Sequence, residues 1–173
     1  MVKMEFWDVI KKRYSVRKYQ DTPVPEDLLN KILDAARIAP SADNRQPWYF
    51  IVGKNTEIIR KLGEATYDSK FISSAPIIIV GCADKNACWT RPDGKKYYMV
   101  DIAIAFQHLI LAATEVGLGT CWIAELKEDE VQKILELPEH IVPVVMTPVG
   151  YPNQEPKKTD RKSLKEIVKY DKW

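Results

Sequence analysis

The chain has 173 residues, of which 46% are hydrophobic and 29% are charged, so its composition suits one ordinary globular domain spanning residues 1–173. Lysine and arginine number 26 against 24 aspartate and glutamate residues, and they are scattered among acidic residues, which argues against nucleic acid as a partner. The most apolar run, residues 75–83, is too short to span a bilayer, and Cys82, Cys88 and Cys121 cannot all pair. We therefore expect a cytoplasmic protein with no membrane partner.

The N-terminal half predicts two helices followed by two strands. Residues 4–13 have the spacing of an amphipathic helix, and Pro25 opens a second helix that Pro40 ends. The run 48–52 is rich in β-formers and bounded by Pro47 and Gly53, and the run 76–82 is a second such run, apolar on both faces. We expect both to be central strands of a sheet.

The C-terminal half centres on a helix at 97–116 that is apolar nearly all round. Such a helix is buried inside the domain or packs against a partner, and Gly117 is its expected C-cap. The prolines of the run 142–150 indicate a last strand that lies at a sheet edge or carries a bulge. The remaining predictions are a short strand at 120–123, a helix at 127–135, and an extended arm after Gly150 with a short helix near 161–168.

Arg13, Ser15 and Arg17 alternate where the first helix gives way to extended structure. Side chains at this spacing can converge on one anion, and guanidinium groups bind phosphate through paired hydrogen bonds. For this motif alone, solvated arginines near a helix end are an equally good interpretation.

Asn44 and Gln46 stand on one side of the loop before the first strand. Each amide offers a donor and an acceptor, which suits the hydrogen-bonding edge of a flat heterocycle. The same residue types also form ordinary turns between a helix and a strand, and that interpretation stays open at this point.

Two other motifs are set aside. The segment 117–122 has two glycines but follows a helix, whereas a dinucleotide fingerprint must follow a strand. Cys82 and Cys88 have no accompanying CxxC pair or adjacent histidine, so we expect buried or incidental cysteines and no metal site.

Two segments together resemble the signatures of the FMN-dependent nitroreductase family. They are 13–19 (Arg-Tyr-Ser-Val-Arg-Lys-Tyr) and 39–48 (Ala-Pro-Ser-Ala-Asp-Asn-Arg-Gln-Pro-Trp). The resemblance continues through 117–123, 148–152 and 161–164, and so covers nearly the whole chain.

The resemblance implies an α+β fold of the nitroreductase type, with a mainly antiparallel central sheet flanked by helices and an extended C-terminal arm. It implies a homodimer with one FMN in each of two interfacial clefts, in which the arm, about 151–173, embraces the partner. NADH or NADPH would be the transient electron donor, and a nitroarene or quinone would be the acceptor in a ping-pong reaction.

The resemblance also implies the cofactor-binding residues and leaves the chemistry to the flavin, without a catalytic side chain. Backbone groups around 122–124 would approach the reactive edge of the flavin, and residues 40–44 would serve the neighbouring subunit's flavin. The stretch 84–98 is a candidate lid. The cofactor-binding residues are Arg13, Tyr14, Ser15, Arg17, Pro40, Ser41, Ala42, Asn44, Gln46, Trp122, Ile123, Ala124, Gly150 and Arg161.

Two alternatives to this function stay open. One is an FMN-binding or sensing protein with little turnover. The other is a different flavin reaction on the same scaffold, such as reductive dehalogenation or flavin fragmentation.

Overall fold

The computed structural model describes residues 4–67, 71–157 and 159–173. They form an α+β fold with a four-stranded antiparallel sheet and flanking helices, which confirms the predicted fold class. The helices are α1 Phe6–Lys12, α2 Glu26–Arg37, α3 Thr56–Glu64, α4 Tyr98–Glu115, α5 Glu128–Ile134 and α6 Leu164–Ile167, and the strands are β1 Trp48–Gly53, β2 Ile77–Asp84, β3 Gly119–Thr120 and β4 Ile141–Gly150.

The strands are ordered β1-β2-β4-β3. The prediction that both apolar runs are central strands is right for β2 and wrong for β1, which pairs only with β2 in the described chain. A continuous apolar run in the sequence indicates that both faces of a strand are covered. It does not indicate whether the strand has a neighbour on each side in the sheet.

Pro143 of β4 lies at a bulge, which confirms one of the two predicted alternatives. The register shifts between Gly81 and Cys82, which face Val145 and Pro143, so β4 carries an extra residue there. β4 is not an edge strand, because β2 and β3 flank it. β3 pairs with Val149 and Gly150, the end of β4 beyond Pro148. Pro148 has no N–H, and its position needs no hydrogen bond to β3.

Alternate residues of β2 point into two different cores. Ile77 and Ile79 pack with residues of α2 and α4 on one face of the sheet. Ile78 and Val80 pack with residues of α3 and α5 on the other. The sheet is therefore covered on both faces, with α4 and α5 on opposite sides.

Helix α4 is buried on one face and apolar but exposed on another. Ala105 and Leu109 are fully buried, whereas Val100 and Ile104 are 47% and 36% exposed. Gly117 ends the helix with a φ of +81°, as predicted for a C-cap. The second apolar face has no cover within the described chain.

Helix α1 also presents apolar side chains to the outside. Of its residues only Val9 is buried, while Phe6 and Trp7 are 65% and 67% exposed. Helix α3 was not predicted from the sequence, although Asn55 provides a clear N-cap signal: its side chain accepts hydrogen bonds from the amides of Glu57 and Ile58.

The predicted short helix of the arm is α6, which begins with a capping box formed by Ser163 and Glu166. In the part of the chain that the structure describes, no helix combines the length and hydrophobicity needed to cross a membrane.

Candidate functional site

The segment after α1 runs beside β3. The Val16 N–H donates to the Thr120 carbonyl at 2.8 Å, and Val16 is 1% exposed. This close approach requires Gly119, because a Cβ there would lie 2.6 Å from a methyl group of Val16. With Val16 turned inward, alternation places Arg13, Ser15 and Arg17 on the opposite side of the segment.

The structure brings the predicted anion-binding residues together. Arg13, Tyr14, Ser15 and Arg17 line one wall of a cavity of about 1700 Å³, and the arm residues 153–157, 159 and 161 form the other wall. Arg161, distant in sequence, lies in that second wall. Its guanidinium donates to Thr159 Oγ1 at 2.8 Å and to the Asp160 carbonyl at 2.9 Å.

The cavity is strongly positive. Glu155 is the one carboxylate among its lining residues, and none of the lining cations forms a salt bridge with a described carboxylate. Elsewhere lysines and arginines commonly have such partners. The unpaired positive charge therefore suits an anionic ligand. The cations are Lys11, Lys12, Arg13, Arg17, Lys18, Lys157 and Arg161.

The three cysteines lie in the interior, as predicted for small apolar side chains. Burial raises the pKa of Cys82 to about 12. Cys121 lies behind residues 13–17, which we call the cationic segment. Burial raises the pKa of the Cys121 thiol, and Arg17 opposes that rise. Both thiols are therefore neutral and weakly nucleophilic near neutral pH.

The loop before β1 is built by local hydrogen bonds. The Gln46 N–H donates to Ser41 Oγ at 2.9 Å, and the Gln46 side chain donates from Nε2 to the Asn44 carbonyl at 3.1 Å. Pro40, Ser41, Ala42, Asn44 and Gln46 thus share one compact turn, with Asn44 and Gln46 exposed.

Part of this loop has an unfavourable backbone conformation. Asp43, Asn44 and Gln46 have φ angles of 52°, 53° and 48°. Asn and Asp tolerate the left-handed region, whereas Gln seldom adopts it. Strain of this kind persists where the surroundings hold it, and it is concentrated at functional sites.

The anchor of the loop is Asp101, which the sequence reading missed. Its Oδ1 accepts a hydrogen bond of 2.9 Å from the Ala42 N–H, and the residue is 2% exposed. Its Oδ2 is buried without a partner among the described residues. Burial raises the pKa of this carboxyl, and the Ala42 N–H opposes the rise. One acidic residue in the apolar first half of the helix, residues 98–106, was the available signal.

The structure does not bring the loop and the cationic cavity together within one chain. Asp101 holds the loop near the start of α4, whereas the cationic segment packs through Val16 on Gly119, just beyond the end of that helix. From Asp101 to Glu115 the helix rises about 21 Å, at about 1.5 Å per residue. No loop residue lines the cavity.

The segment after β3 presents backbone groups. The amide of Ile123 donates to the Met146 carbonyl at 3.0 Å and its carbonyl accepts from Met146 at 2.9 Å, so Ile123 is joined to β4. In extended chain the amides of Trp122 and Ala124 point the other way. Trp122 is 40% exposed and its ring packs edge-on against Phe106, with centroids 5.5 Å apart.

Gly150 lies at the end of β4 opposite Gly119. A Cβ at position 150 would lie 2.7 Å from the Pro76 side chain, so close packing requires the glycine here. Gly150 is not among the residues that line the cavity.

The candidate lid forms a compact turn with its own contacts. Thr90 is bridged to Lys96, the rings of Trp89 and Tyr97 meet edge-on at 5.2 Å, and Arg91 Nη1 donates to the Tyr97 hydroxyl at 2.7 Å. Its role as a lid stays a prediction.

Comparison with known proteins gives a consistent match. The model of the Nitroreductase family matches residues 10–80 and 67–151. A protein of Methanothermobacter thermautotrophicus, named as an NADH dehydrogenase/NAD(P)H nitroreductase, is 38% identical over 158 residues, which are 89% of this chain and 81% of that protein.

Two solved structures extend the match to the fold. A nitroreductase family protein from Clostridium difficile 630 superposes with a TM-score of 0.91 at 39% identity, covering 98% of this chain and 100% of that one. An FMN-dependent nitroreductase from Clostridium difficile R20291 has a TM-score of 0.86 at 29% identity, covering 97% and 100%.

Proposed function

Because this chain belongs to the nitroreductase family, we propose that it is an FMN-dependent oxidoreductase that uses NADH or NADPH to reduce electron-poor acceptors such as nitroaromatics or quinones. The observation that carries the proposal is the positive cavity in which Arg13, Ser15, Arg17 and Arg161 meet. Its cations have no carboxylate partners of their own among the described residues, so they are available to a phosphate.

The phosphate of FMN carries close to two negative charges and has several acceptor oxygens. Guanidinium groups of Arg13, Arg17 and Arg161 supply paired charged donors, and the Ser15 hydroxyl supplies a further donor. Tyr14 lines the same wall, and its hydroxyl donates to the Gln154 carbonyl of the arm. This donor set fits a phosphate ester.

The amides of Asn44 and Gln46 suit the flavin ring edge, because each offers both a donor and an acceptor. We assign this contact, with Pro40, Ser41 and Ala42, to the partner subunit's flavin. The support is the distance of about 21 Å along α4 between the anchor of this loop and the end near the cavity of the same chain.

The reacting edge would lie beside 122–124 and Gly150. The amides at Trp122 and Ala124 are turned away from β4 and are available as fixed donors, held in place by the paired backbone of Ile123. A bound flavin supplies hydride and electron transfer between the nicotinamide and the acceptor. Fixed donors stabilise negative charge without an acid or base side chain.

A homodimer would cover the apolar surfaces that one chain leaves open. Phe6 and Trp7 on α1 and Ile104 on α4 are exposed large side chains. The arm ends in further exposed apolar residues, including Tyr170 and Trp173 at 85% and 103%. A partner embraced by the arm would bury both sets. The three unpaired cysteines fit a reducing cytoplasm.

The test is oxidation of NADH and of NADPH by purified, FMN-loaded protein, with and without a nitroarene or a quinone. We expect oxidation that depends on the acceptor and double-reciprocal plots with parallel lines, the pattern of a ping-pong reaction. Tight FMN binding without turnover would instead indicate a sensing protein. Failure to bind FMN at all would overturn the proposal.

A further inference from the structure

Gln154 bonds to the cationic segment on both sides of Ser15. Its side-chain Oε1 accepts a hydrogen bond of 2.7 Å from the Arg17 N–H. Its main-chain carbonyl accepts one of 3.0 Å from the Tyr14 hydroxyl. One residue of the arm therefore holds the segment that carries Arg13, Ser15 and Arg17.

Gln154 is also the last link of a short ladder between the arm and the cationic segment. The Gln20 N–H donates to the Tyr151 carbonyl, and the Asn153 N–H donates to the Lys18 carbonyl, each at 2.9 Å. Beyond Gln154, the arm residues 155–157, 159 and 161 also line the cavity. The ladder therefore ends where the arm reaches the cavity.

The amides of Val16 and Arg17 are held by different elements. Val16 donates to Thr120, next to β4, and Arg17 donates to Gln154 in the arm. The two bonds hold the backbone from opposite sides, so the alternating side chains are aimed at the cavity before any ligand arrives. Preorganisation of this kind raises affinity because less order has to be created on binding.

We propose that Gln154 is a positioning residue for the anion site: it closes the cavity by joining the arm to the cationic segment and thereby brings Arg161 to the same phosphate as Arg13 and Arg17. The inference rests on the proposed function and extends it to a residue of the arm. Gln154 acts through the arginines, so its contribution depends on the phosphate of the ligand.

The experiment compares FMN with riboflavin, which has the same ring but no phosphate. In Gln154→Leu the acceptor for the Arg17 N–H is lost, and we expect FMN affinity to fall about three- to tenfold, the range of one net hydrogen bond. Riboflavin affinity should not change. Tyr14→Phe, which removes the second contact, should shift the ratio of the two affinities in the same direction.

Gln20→Leu is the matched control. Gln20 also ties the two segments together, donating from Nε2 to the Pro152 carbonyl at 2.9 Å, but it does not line the cavity. The ratio of FMN to riboflavin affinity should stay at the wild-type value in this variant. An equal fall in both affinities in Gln154→Leu would mean a general structural effect and would overturn the inference.

A double-mutant cycle with Arg161→Ala tests whether Gln154 affects FMN affinity through Arg161. If Gln154 acts by placing Arg161, the double variant should lose little more FMN affinity than Arg161→Ala alone. If the losses of FMN affinity in the two single variants add fully in the double variant, Gln154 does not act through Arg161. A wild-type protein that binds neither flavin would contradict the proposed function itself. If Gln154→Leu keeps the wild-type ratio of FMN to riboflavin affinity, only this inference is contradicted.

Discussion

Asp101 Oδ1 accepts a hydrogen bond from the Ala42 N–H, and this bond joins two residues 59 positions apart. It ties the strained loop before β1 to the first turns of α4. The loop residues with positive φ follow directly after Ala42. Asp101 therefore stabilises a conformation that the loop would not adopt by its own preferences.

Asp101→Leu should destabilise the protein by about 1–3 kcal/mol, because the half-buried Ala42 amide would lose its acceptor. The free energy of unfolding in urea measures this effect. FMN and riboflavin affinities should fall by the same factor, since the loop is assigned to the ring and not to the phosphate. The control is Asp34→Leu, at an exposed position of α2, with an expected change within about 0.5 kcal/mol. A loss of stability there as large as in Asp101→Leu would contradict the special role of Asp101.

Asp101→Asn should change the pH dependence of stability. Burial raises the pKa of Asp101, so the folded state holds the proton more tightly than the unfolded state does. Wild-type stability should therefore decline relative to Asp101→Asn as pH rises above about 3.9, the usual aspartate pKa, and level off above the folded-state pKa. Urea unfolding of both proteins across this range measures the difference; a difference that is independent of pH would contradict the prediction.

Arg13→Ala should weaken FMN binding about ten- to hundredfold, because one charged hydrogen bond to the phosphate is lost. Titration followed by flavin fluorescence gives the affinity. Arg37→Ala is a matched control, since Arg37 pairs with Asp34 on the surface and lies outside the cavity. Equal FMN affinity in Arg13→Ala and wild type would refute the phosphate assignment.

Ile104→Glu should break the proposed dimer, because it places a charge on the exposed apolar face of α4. Ala105, its neighbour, is unsuitable for this test because it is fully buried in the core of its own chain. Sedimentation should show monomer or aggregate without bound flavin. Lys133→Glu, on α5 across the sheet, should stay dimeric and yellow. A yellow, active wild-type monomer would rule out the shared site.

Replacement of each cysteine by alanine should leave turnover largely intact, because the chemistry needs no thiolate. Cys82 is buried with a pKa raised to about 12, so its thiol is neutral in the working range. Cys82→Ser should cost stability, since it buries a hydroxyl in an apolar core. Turnover of FMN-loaded variants is the measurement. Loss of activity in one folded, loaded variant would point to thiol chemistry.

Patterns that depend on neighbouring residues along the chain predicted most of the fold. Gly117 ends α4 and Pro143 of β4 lies at a bulge, because backbone limits act locally. The edge position of β1 and the role of Asp101 depend on partners far away in sequence. Helix α3 is a different case, since it is not among the predicted elements although the Asn55 cap is a local signal of its start.

Arg13, Ser15 and Arg17 were predicted to share a side because alternation along an extended segment is a local property. Arg161 joined them only through the resemblance, since no spacing rule links residues so far apart. Gln154 had no sequence signal at all. A glutamine that bonds a distant backbone amide looks like any other polar residue of a loop.

The placement of the loop and the cavity at opposite ends of α4 has a thermodynamic consequence for the proposed shared site. If each flavin needs both chains, cofactor binding and chain association obey mass action together. Apparent FMN affinity would then rise with protein concentration, and FMN would tighten the dimer by the same factor, as linkage requires. Newly made chains would load cofactor only as fast as they find one another, so cellular concentration would govern how much of the protein is active.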